Sequence, residues 1–445
     1  MLRARRLLAV CALPGALSAS LFAAGCAGAL GPVPIGGDDA DAFVLADTPA
    51  MAHIAAALEG EEGLTLGALI EKGDGVSFSS TPNPTKLLTN TNTLDDNRAR
   101  GDRQPLTVLS YNVALLDVDL FNIIPYTESP NIPQRRRVLP GLIFETGADI
   151  VLLQELWLAQ DVDTFTSRAL SAGYHPFGHE RRSGNDGLII FVREDVIAGG
   201  STHDVEFKAY ASQVGTEYWP GPGIARGWMS VRFVHNTIGE IRVFNTHMQA
   251  FPENWLGRVK QARELGIEMQ QETATTGAFV LVGGDLNAGP YYKNSTWTSP
   301  DASTVDRWFH NAISYPTLLT YGNLVDAAIM GRPAVETLAD ITLGDTVRND
   351  STRALEFPGA EDGWCERTPA VTFTATDCNG LYFQQYGGTE SPARLDHIFV
   401  SDVGERVVVN SSEIVFTDKR TFGDVVVEPS DHFGIRVDLL VSPRR

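Results

Sequence analysis

The fold is decided by the stretch Val280-Leu281-Val282-Gly283-Gly284-Asp285-Leu286-Asn287. Three aliphatic residues followed by two glycines are typical of a buried strand that ends in a tight turn. Apolar runs that end in polar residues recur in Ile150-Val151-Leu152-Leu153-Gln154-Glu155 and in Arg242-Val243-Phe244-Asn245-Thr246-His247. The repetition predicts that several strands bring a carboxylate, an amide or an imidazole to the same end of a sheet.

From residue 105 onward, the sequence predicts many strands and few helices. One helix should follow Asn254, which is a suitable N-cap, and a second should lie within residues 134–145, where Pro140 must break or kink it. This proportion favours an α/β sandwich of two sheets over a simple βαβ array. The predicted strands are residues 106–113, 148–156, 187–192, 228–233, 241–246, 278–283, 395–401, 407–409, 414–417 and 433–441.

The N-terminus, residues 1–25, predicts an export signal, because three arginines precede an apolar stretch at residues 7–24. Two processing sites compete. Ala23-Ala24-Gly25-Cys26 resembles a bacterial lipobox and would leave Cys26 lipidated, whereas Ala27-Gly28-Ala29 fits ordinary cleavage; we favour the lipoprotein. The chain is therefore expected to be exported, either anchored to a bacterial envelope membrane or secreted. Residues 26–104, rich in Ala, Gly, Asp, Thr and Asn, predict a tether or N-terminal appendage before a catalytic domain at 105–445.

The charge balance disfavours nucleic acid as a partner without excluding it. The chain has 35 basic and 55 acidic residues, a formal net charge of −20. Such a surface repels polyanions unless it contains a basic groove. The clusters available for a groove are Arg135-Arg136-Arg137 and Arg181-Arg182.

Two cysteines, Cys365 and Cys378, remain beside Cys26 once the signal is removed. In an exported chain, two cysteines this close predict a disulfide that closes a short Gly/Pro-rich loop. A zinc site is the poorer interpretation, because no second close pair of cysteines or histidines accompanies them.

Glu155 is the strongest metal candidate. A buried glutamate at the end of an apolar strand needs a cation or strong donors. Mg²⁺ takes one or two protein oxygens and keeps several waters, which suits Glu155 together with the carboxamide of Asn112. Asp431 could contribute to the same metal site or could orient the neighbouring His432.

The histidines predict acid–base chemistry at a phosphate ester. His432 needs a carboxylate to fix its tautomer before it can accept a proton from water, and Asp396 is the candidate. His247 is suited to donate to a phosphoryl oxygen that gains charge in the transition state. Asp285 and Asn287 are two residues apart, so on an extended segment they would point the same way and could hold water and phosphate.

The order and the residue types of these motifs resemble those of the endonuclease/exonuclease/phosphatase superfamily. The resemblance runs from about Leu106 to Val441. It implies a DNase I-like, four-layer α/β sandwich in which two mixed β-sheets are flanked by helices, and Mg²⁺-dependent hydrolysis of phosphodiesters or phosphomonoesters. The motifs that carry it are Tyr111-Asn112-Val113, Leu153-Gln154-Glu155, Thr246-His247, Gly284-Asp285-Leu286-Asn287, Arg394-Leu395-Asp396 and Ser430-Asp431-His432.

The resemblance also implies roles for single residues. Glu155 and Asn112 would bind the metal, with Mn²⁺ or Co²⁺ as alternatives to Mg²⁺. His432 would be the general base, oriented by Asp396. The other side chains would place the water and the phosphate and stabilise the transition state: Asp285, Asn287 and His247.

Local detail is most similar to the secreted and neutral sphingomyelinases. Thr246-His247-Met248-Gln249-Ala250 is close to their Thr-His-Leu-Gln-Ala, and Arg258 and Gln261 have their Arg-x-x-Gln spacing. Asn185-Asp186-Gly187 resembles their Asp-Gly-Gly segment, in which Asp186 would match an active-site acid. Phe191-Val192-Arg193-Glu194 departs from the family pattern.

The sequence leaves the substrate open. The first hypothesis is a phospholipase C-type sphingomyelinase that acts, as a monomer, on phospholipid at a membrane surface. Tyr126 and the Tyr218-Trp219-Pro220-Gly221-Pro222 segment could offer aromatic faces to choline. The alternative is an exported nuclease, which would share every catalytic residue. A binding module that has lost catalysis is disfavoured, because the key positions are all filled.

Overall fold

The protein is described from a computed structural model. The described residues are 102–116, 119–120, 124–125, 131–178, 186–212, 225–250, 254–288, 314–315, 317–319, 321–327, 381, 395–401 and 406–443, all within one compact unit, Thr65–Arg445. The export signal, the predicted tether at 26–104, Cys26, Cys365 and Cys378 lie outside these residues, so those expectations stay predictions. Arg394, Asn185, Tyr126 and residues 218–222 lie outside them as well.

The described chain alternates strands with a few helices. The helices are α1 (Ile132–Phe144), α2 (Ala159–Ser171) and α3 (Trp255–Thr276), with a short 3₁₀ turn at Glu194–Val196. None of these helices is both long and apolar enough to cross a membrane. The strands are β1 (Gln104–Asn112), β2 (Asp119–Leu120), β3 (Ile124–Pro125), β4 (Ile150–Gln154), β5 (Tyr174–Phe177), β6 (Ile189–Arg193), β7 (Asp204–Ala209), β8 (Gly227–His235), β9 (Gly239–His247), β10 (Phe279–Asp285), β11 (Val325–Asp326), β12 (Asp396–Val400), β13 (Val407–Val415), β14 (Arg420–Phe422), β15 (Val425–Val427) and β16 (Gly434–Val441).

Two mixed sheets contain most of the described strands. Sheet A has the order β13-β16-β1-β4-β6-β5, and sheet B has the order β11-β12-β10-β9-β8-β7. One pair of neighbours in each sheet is parallel, β1 with β4 and β9 with β10. Their carboxyl ends therefore lie at one edge of each sheet, where the sequence places the polar residues.

The sandwich has four layers because each sheet is apolar on both faces. Between the sheets, aliphatic residues such as Val108, Leu152, Val243 and Leu281 form one buried cluster. Helices α1 and α2 cover the outer face of sheet A through Leu139, Phe165 and neighbouring residues. Helix α3 covers the outer face of sheet B through Ala262, Leu265 and Met269. The predicted DNase I-like architecture, two mixed sheets flanked by helices, is confirmed.

Side-chain alternation along the strands explains why the polar ends meet. In β10, Leu281 faces the other sheet, and Gly283 and Asp285 follow on the same side two and four residues later. Gly283 permits a close approach, since a Cβ there would lie 2.5 Å from Leu152 Cδ1. The inner faces thus change from apolar to polar at one edge of the sandwich.

The structure refines three local expectations. The helix expected within residues 134–145 is α1, and Pro140 does not end it, since α1 continues to Phe144. The helix expected after Asn254 is α3, with Asn254 at its N-cap position, but the Asn254 side chain makes no cap hydrogen bond and its amide donates to the Ala250 carbonyl. The two strands expected at 407–409 and 414–417 are one strand, β13, with a register shift between Val409 and Ser411.

We predict that His235, at the end of β8, makes folding sensitive to acid. Its Nδ1 accepts from the backbone N–H of Thr237 and Ile238, and burial, aided by Arg193, lowers its pKa to about 4. The unfolded chain binds the proton at about 6.5, so stability is complete above that pH and is lost as the pH falls towards 4, by about 3 kcal/mol. Urea unfolding of wild type and His235→Asn between pH 7 and pH 4 tests this. Equal pH slopes would contradict it.

Candidate active site

The polar edge of the sandwich brings residues of both sheets together around Asp285. In sheet B, Asp285 pairs with His247 on one side and with Asp396 on the other. In sheet A, Asn112 pairs with Gln154, directly before Glu155. The site therefore combines the ends of β1 and β4 with the ends of β9 and β10 and the start of β12.

A hydrogen-bonded amide pair fixes the two sheets below this site. Asn245 of β9 accepts from Gln154 Nε2 at 2.7 Å and donates to the carbonyl oxygens of Leu153 and Ile189 at 2.8 and 3.0 Å. Asn245 and Gln154 are both completely buried. A single side chain of sheet B thus makes three hydrogen bonds to sheet A.

Asp285 Oδ2 is the centre of the cluster. Asn112 Nδ2 donates to it at 2.9 Å, while His247 Nε2 and His432 Nε2 lie 3.4 and 3.8 Å away. Burial raises the pKa of Asp285, His432 lowers it, and Asp396 raises it. This carboxylate therefore accepts one hydrogen bond from sheet A and has two imidazoles beside it, of which His432 stabilises its charge.

His432 forms a close pair with Asp396. Its Nδ1 lies 2.7 Å from Asp396 Oδ2, and its backbone N–H donates to Ser430 Oγ at 3.2 Å. Burial alone would lower the pKa of His432, but the carboxylates of Asp396 and Asp285 outweigh it and raise that pKa well above the usual value. The pairing leaves Nε2 directed towards Asp285, as a base with an orienting carboxylate requires.

Glu155 and Asp431 place two further carboxyl groups beside Asn112. Glu155 follows β4 in a left-handed conformation (φ 66°), and its Oε1 accepts from Asn112 Nδ2 at 3.2 Å. Burial raises the pKa of Glu155, and the nearby charge of Asp431 raises it further. A half-buried and a buried acid that repel each other, Glu155 and Asp431, fit a divalent cation, since its charge would offset both the burial and the repulsion.

The Asn112 carboxamide is already engaged. Its Oδ1 accepts from the backbone N–H of Ala114 at 3.0 Å, and its Nδ2 bridges Glu155 and Asp285. In this arrangement Asn112 orients the carboxylates. To act as a ligand through oxygen, as the sequence suggests, it would have to exchange that backbone hydrogen bond for the metal.

A second group of side chains has ligand atoms within metal-binding reach. One atom each from Asp285, Asp396 and His432 lies within 4.8 Å of the other two. A metal that took His432 Nδ1 there would compete with the 2.7 Å hydrogen bond between that atom and Asp396 Oδ2. We therefore favour Glu155, with Asn112 and Asp431, as the metal ligands.

His247 is held in the neutral form. Burial lowers its pKa well below the usual value, and the charges of Arg226 and His432 lower it further. Its ring lies 6.2 Å, centroid to centroid, from the Trp157 ring. Among the described residues, its Nδ1 is buried without a hydrogen-bond partner. A neutral imidazole can still donate one N–H to a ligand.

The side chains of Asn287 and Asp186 form hydrogen bonds with backbone groups. Asn287 is not on an extended segment: β10 ends at Asp285, and Asn287 has φ 49°, so the expected alignment of the two side chains is wrong. Instead Asp285 Oδ1 accepts the N–H of Asn287, whose amide donates to the Met248 carbonyl. Asp186 is buried and accepts from Leu188 N at 2.7 Å.

Arg226 is a further residue of the site, which the sequence motifs do not predict. Its guanidinium lies 5.8 Å from the Trp157 ring centroid. Burial lowers its pKa, and the carboxylates of Glu155 and Asp285 oppose that shift, which places a cation at the site. The sequence signal for Arg226 is its position directly before Gly227, the first residue of β8. Gly227 pairs with His247, so Arg226 enters the site beside that histidine.

The Arg-x-x-Gln spacing on α3 has a clear structural basis. Positions three apart lie on one face of a helix. Arg258 donates to the Gln249 carbonyl, and Gln261 Oε1 accepts from the Gln249 N–H at 2.9 Å. The two side chains therefore fix the backbone that follows His247.

We predict that Asn245→Leu destabilises the protein by about 3 kcal/mol, because it leaves several buried polar groups of sheet A without partners. Asn410→Leu is the matched control, since Asn410 is exposed at the β13 irregularity and should change stability by less than about 0.5 kcal/mol. Denaturant unfolding measures both. Similar unfolding midpoints for the two variants would contradict the role assigned to Asn245.

Comparison with solved structures finds several similar chains. They include the 275–280 beta toxin from Staphylococcus aureus (16% identity, TM-score 0.47, 75% of this chain and 99% of that one). D. rerio TDP2 complexed with a single-strand DNA product has 17% identity and a TM-score of 0.45, over 76% and 99% of the two chains. The Bacteroides thetaiotaomicron mannosyl-6-phosphatase has 21% identity and a TM-score of 0.45, over 75% and 99%. Similarities at this level do not identify a substrate.

No curated protein matches the sequence significantly. A family model does match: residues 109–323 fit that of the Endonuclease/Exonuclease/phosphatase family. The matched segment contains the end of β1 and all of β4, β9 and β10, whose ends carry Asn112, Glu155, His247 and Asp285. This match supports placing the chain in the endonuclease/exonuclease/phosphatase family.

Proposed function

We propose that the protein is a divalent-metal-dependent phosphodiesterase of the phospholipase C type. It would hydrolyse sphingomyelin or a related phospholipid to phosphocholine and ceramide or diacylglycerol. The observation that carries the proposal is the convergence of the His432–Asp396 pair with Asp285, His247 and Glu155 at one buried edge. This set supplies a base, its orienting carboxylate, a neutral donor and a metal ligand.

His432 would activate the attacking water. Its Nε2 lies on the Asp285 side of the ring, and it would take the proton of a water held between it and Asp285 Oδ2, 3.8 Å away. Asp396 would keep the proton on Nδ1 and stabilise the imidazolium that forms. The oxygen of the water then bonds to phosphorus, and the bond from phosphorus to the lipid alcohol oxygen breaks in line.

The phosphoryl oxygens gain charge in this step and need donors. His247, neutral in this environment, can donate one N–H, and the guanidinium of Arg226 adds a fixed positive charge on the same side as Trp157. Asn287 would orient the phosphate as a secondary contact, from the turn that Asp285 Oδ1 stabilises. Fixed donors of this kind stabilise the transition state without reorganising.

Glu155 and Asn112, with Asp431, would hold the metal. A bound Mg²⁺, or Mn²⁺ or Co²⁺ in its place, would polarise a phosphoryl oxygen and stabilise the leaving alkoxide. Asp186 is proposed to support this wall of the site from the adjacent segment, where Leu156 N–H donates to the Gly187 carbonyl at 3.0 Å.

A phospholipid fits the chain better than a nucleic acid. Two basic clusters were considered for a polyanion groove, and Arg181-Arg182 lies outside the described residues. In the other cluster, Arg135 is buried and Arg136 pairs with the buried Asp161, which leaves Arg137 exposed. The formal net charge of −20 also opposes a polyanion more than a zwitterionic headgroup. The resemblance of Thr246–Ala250 to the sphingomyelinase motif points the same way. Export, with lipidation at Cys26, would place a monomeric enzyme at a membrane surface.

We predict that the purified protein releases phosphocholine from sphingomyelin vesicles with Mg²⁺ and loses this activity in EDTA. His432→Ala should reduce kcat by about 10²- to 10⁴-fold, the range for general-base catalysis. His203→Ala is the matched control, because His203 is exposed before β7 and should leave kcat within about twofold. Phosphocholine release from vesicles, at several metal concentrations, measures both variants.

The same assays are run on three further substrates: phosphatidylcholine vesicles, plasmid DNA and bis-p-nitrophenyl phosphate. If folded wild-type protein with Mg²⁺, Mn²⁺ or Co²⁺ releases no phosphocholine, the phospholipase proposal is wrong. DNA cleavage that falls steeply with added salt would instead favour the exported nuclease.

A further inference from the structure

Arg135 joins two backbone segments of the candidate site from below. It lies on α1, and its side chain is completely buried. Its Nε donates to the Pro429 carbonyl at 2.7 Å, and its Nη2 donates to the carbonyls of Val113 and Ala114 at 2.8 and 3.0 Å. Val113 directly follows Asn112, and Pro429 lies three residues before His432.

A second contact links the same two segments. Ser430 Oγ donates to the Asn112 carbonyl at 2.7 Å and accepts from the His432 N–H at 3.2 Å. The position of His432 relative to β1 therefore depends on the path of residues 429–431. Arg135 fixes the start of that path, because a guanidinium fork can satisfy several carbonyls at once.

The buried charge of Arg135 needs a reason beyond packing. An apolar side chain of similar length would fill the same space without the cost of removing a guanidinium from water. Burial lowers the pKa of Arg135, and the negative charges of Asp431 and Glu155 oppose that shift. The cation is thus matched to the two carboxyl groups that we favour as metal ligands.

We propose that Arg135 is a positioning residue, which fixes His432 relative to the Asn112 end of the site and balances the charges of Asp431 and Glu155. It touches neither substrate nor metal. The inference rests on the proposed function for the roles of His432 and Glu155. We call the three hydrogen bonds of Arg135 to Pro429, Val113 and Ala114 the clamp, and these are independent of that function.

Two substitutions separate geometry from charge. Arg135→Lys keeps the charge but cannot reproduce the fork, and Arg135→Met removes both. Arg137→Met is the matched control, because Arg137 is exposed on the same helix. Stability is measured first, and activity is compared per folded molecule, well below each unfolding temperature.

The clamp predicts that both Arg135 variants lose kcat by about tenfold or more, with KM within about threefold, because His432 is misplaced while substrate contacts remain. The positive charge of Arg135 predicts a separate effect on Mn²⁺ affinity, which calorimetry measures without substrate. Both variants lose the fork, so their difference reports the charge: Arg135→Met should bind Mn²⁺ about threefold more tightly than Arg135→Lys, since a repelling charge is removed.

Several outcomes would overturn the proposal. Full kcat in Arg135→Lys would show that no fork is needed, and Mn²⁺ affinity in Arg135→Met equal to or weaker than that of Arg135→Lys would rule out the charge balance. A loss of kcat as large in Arg137→Met would show a nonspecific effect of the helix. If Arg135→Met does not fold, Arg135→Lys carries the test.

The test also works if the substrate proposal fails. Any phosphodiester that wild type hydrolyses can replace sphingomyelin in the kcat comparison. If wild type hydrolyses none, Mn²⁺ affinity and the NMR signals of the His432 imidazole still decide: a shifted His432 Nδ1–H signal in Arg135→Lys is expected, and an unchanged one overturns the clamp.

Discussion

The hydrogen bonds between Asn245 and sheet A are the constraint on which the rest of the site depends. Stacked sheets normally lie about 10 Å apart, so a side chain of one rarely reaches polar groups of the other. Here Asn245 bonds to Gln154 and to two backbone carbonyls of sheet A, and Gly283 removes the side chain that would hold Leu152 away. With the sheets fixed at this separation, Asn112 of one reaches Asp285 of the other at 2.9 Å.

Charge balance is the second constraint at this edge. Carboxyl groups from four segments share a small buried volume, and burial raises the pKa of Glu155 and of Asp285. The described structure opposes them with His432, with Arg226 on the Trp157 side and with Arg135 from α1. A divalent cation would add to this set on the Glu155 side, so the site combines preformed anions with fixed cations rather than relying on either alone.

The sequence predicts the inward-facing residues well because their signal is local. Apolar runs that end in Glu155, His247 and Asp285 identify buried strands and their polar ends without any knowledge of pairing. The edge strands β5 and β7 escape this reasoning, since β7 alternates exposed and half-buried residues and β5 is only four residues long. Arg135 and Arg226 escape it for another reason: each acts through a partner distant in sequence, so an arginine on an amphipathic helix or before a strand looks like any surface cation.

The two histidines of the site show how neighbours assign chemistry to identical side chains. Both are buried, and burial lowers the pKa of an imidazole. His247 has the positive charges of Arg226 and His432 near it, so its pKa falls further and it remains a neutral donor. His432 has Asp396 at 2.7 Å and Asp285 beyond, so its pKa rises and it becomes the stronger base. Environments that separate two pKa values in this way assign acid–base roles. On that ground we propose His432 in its unprotonated form, and not His247, as the group that accepts the proton.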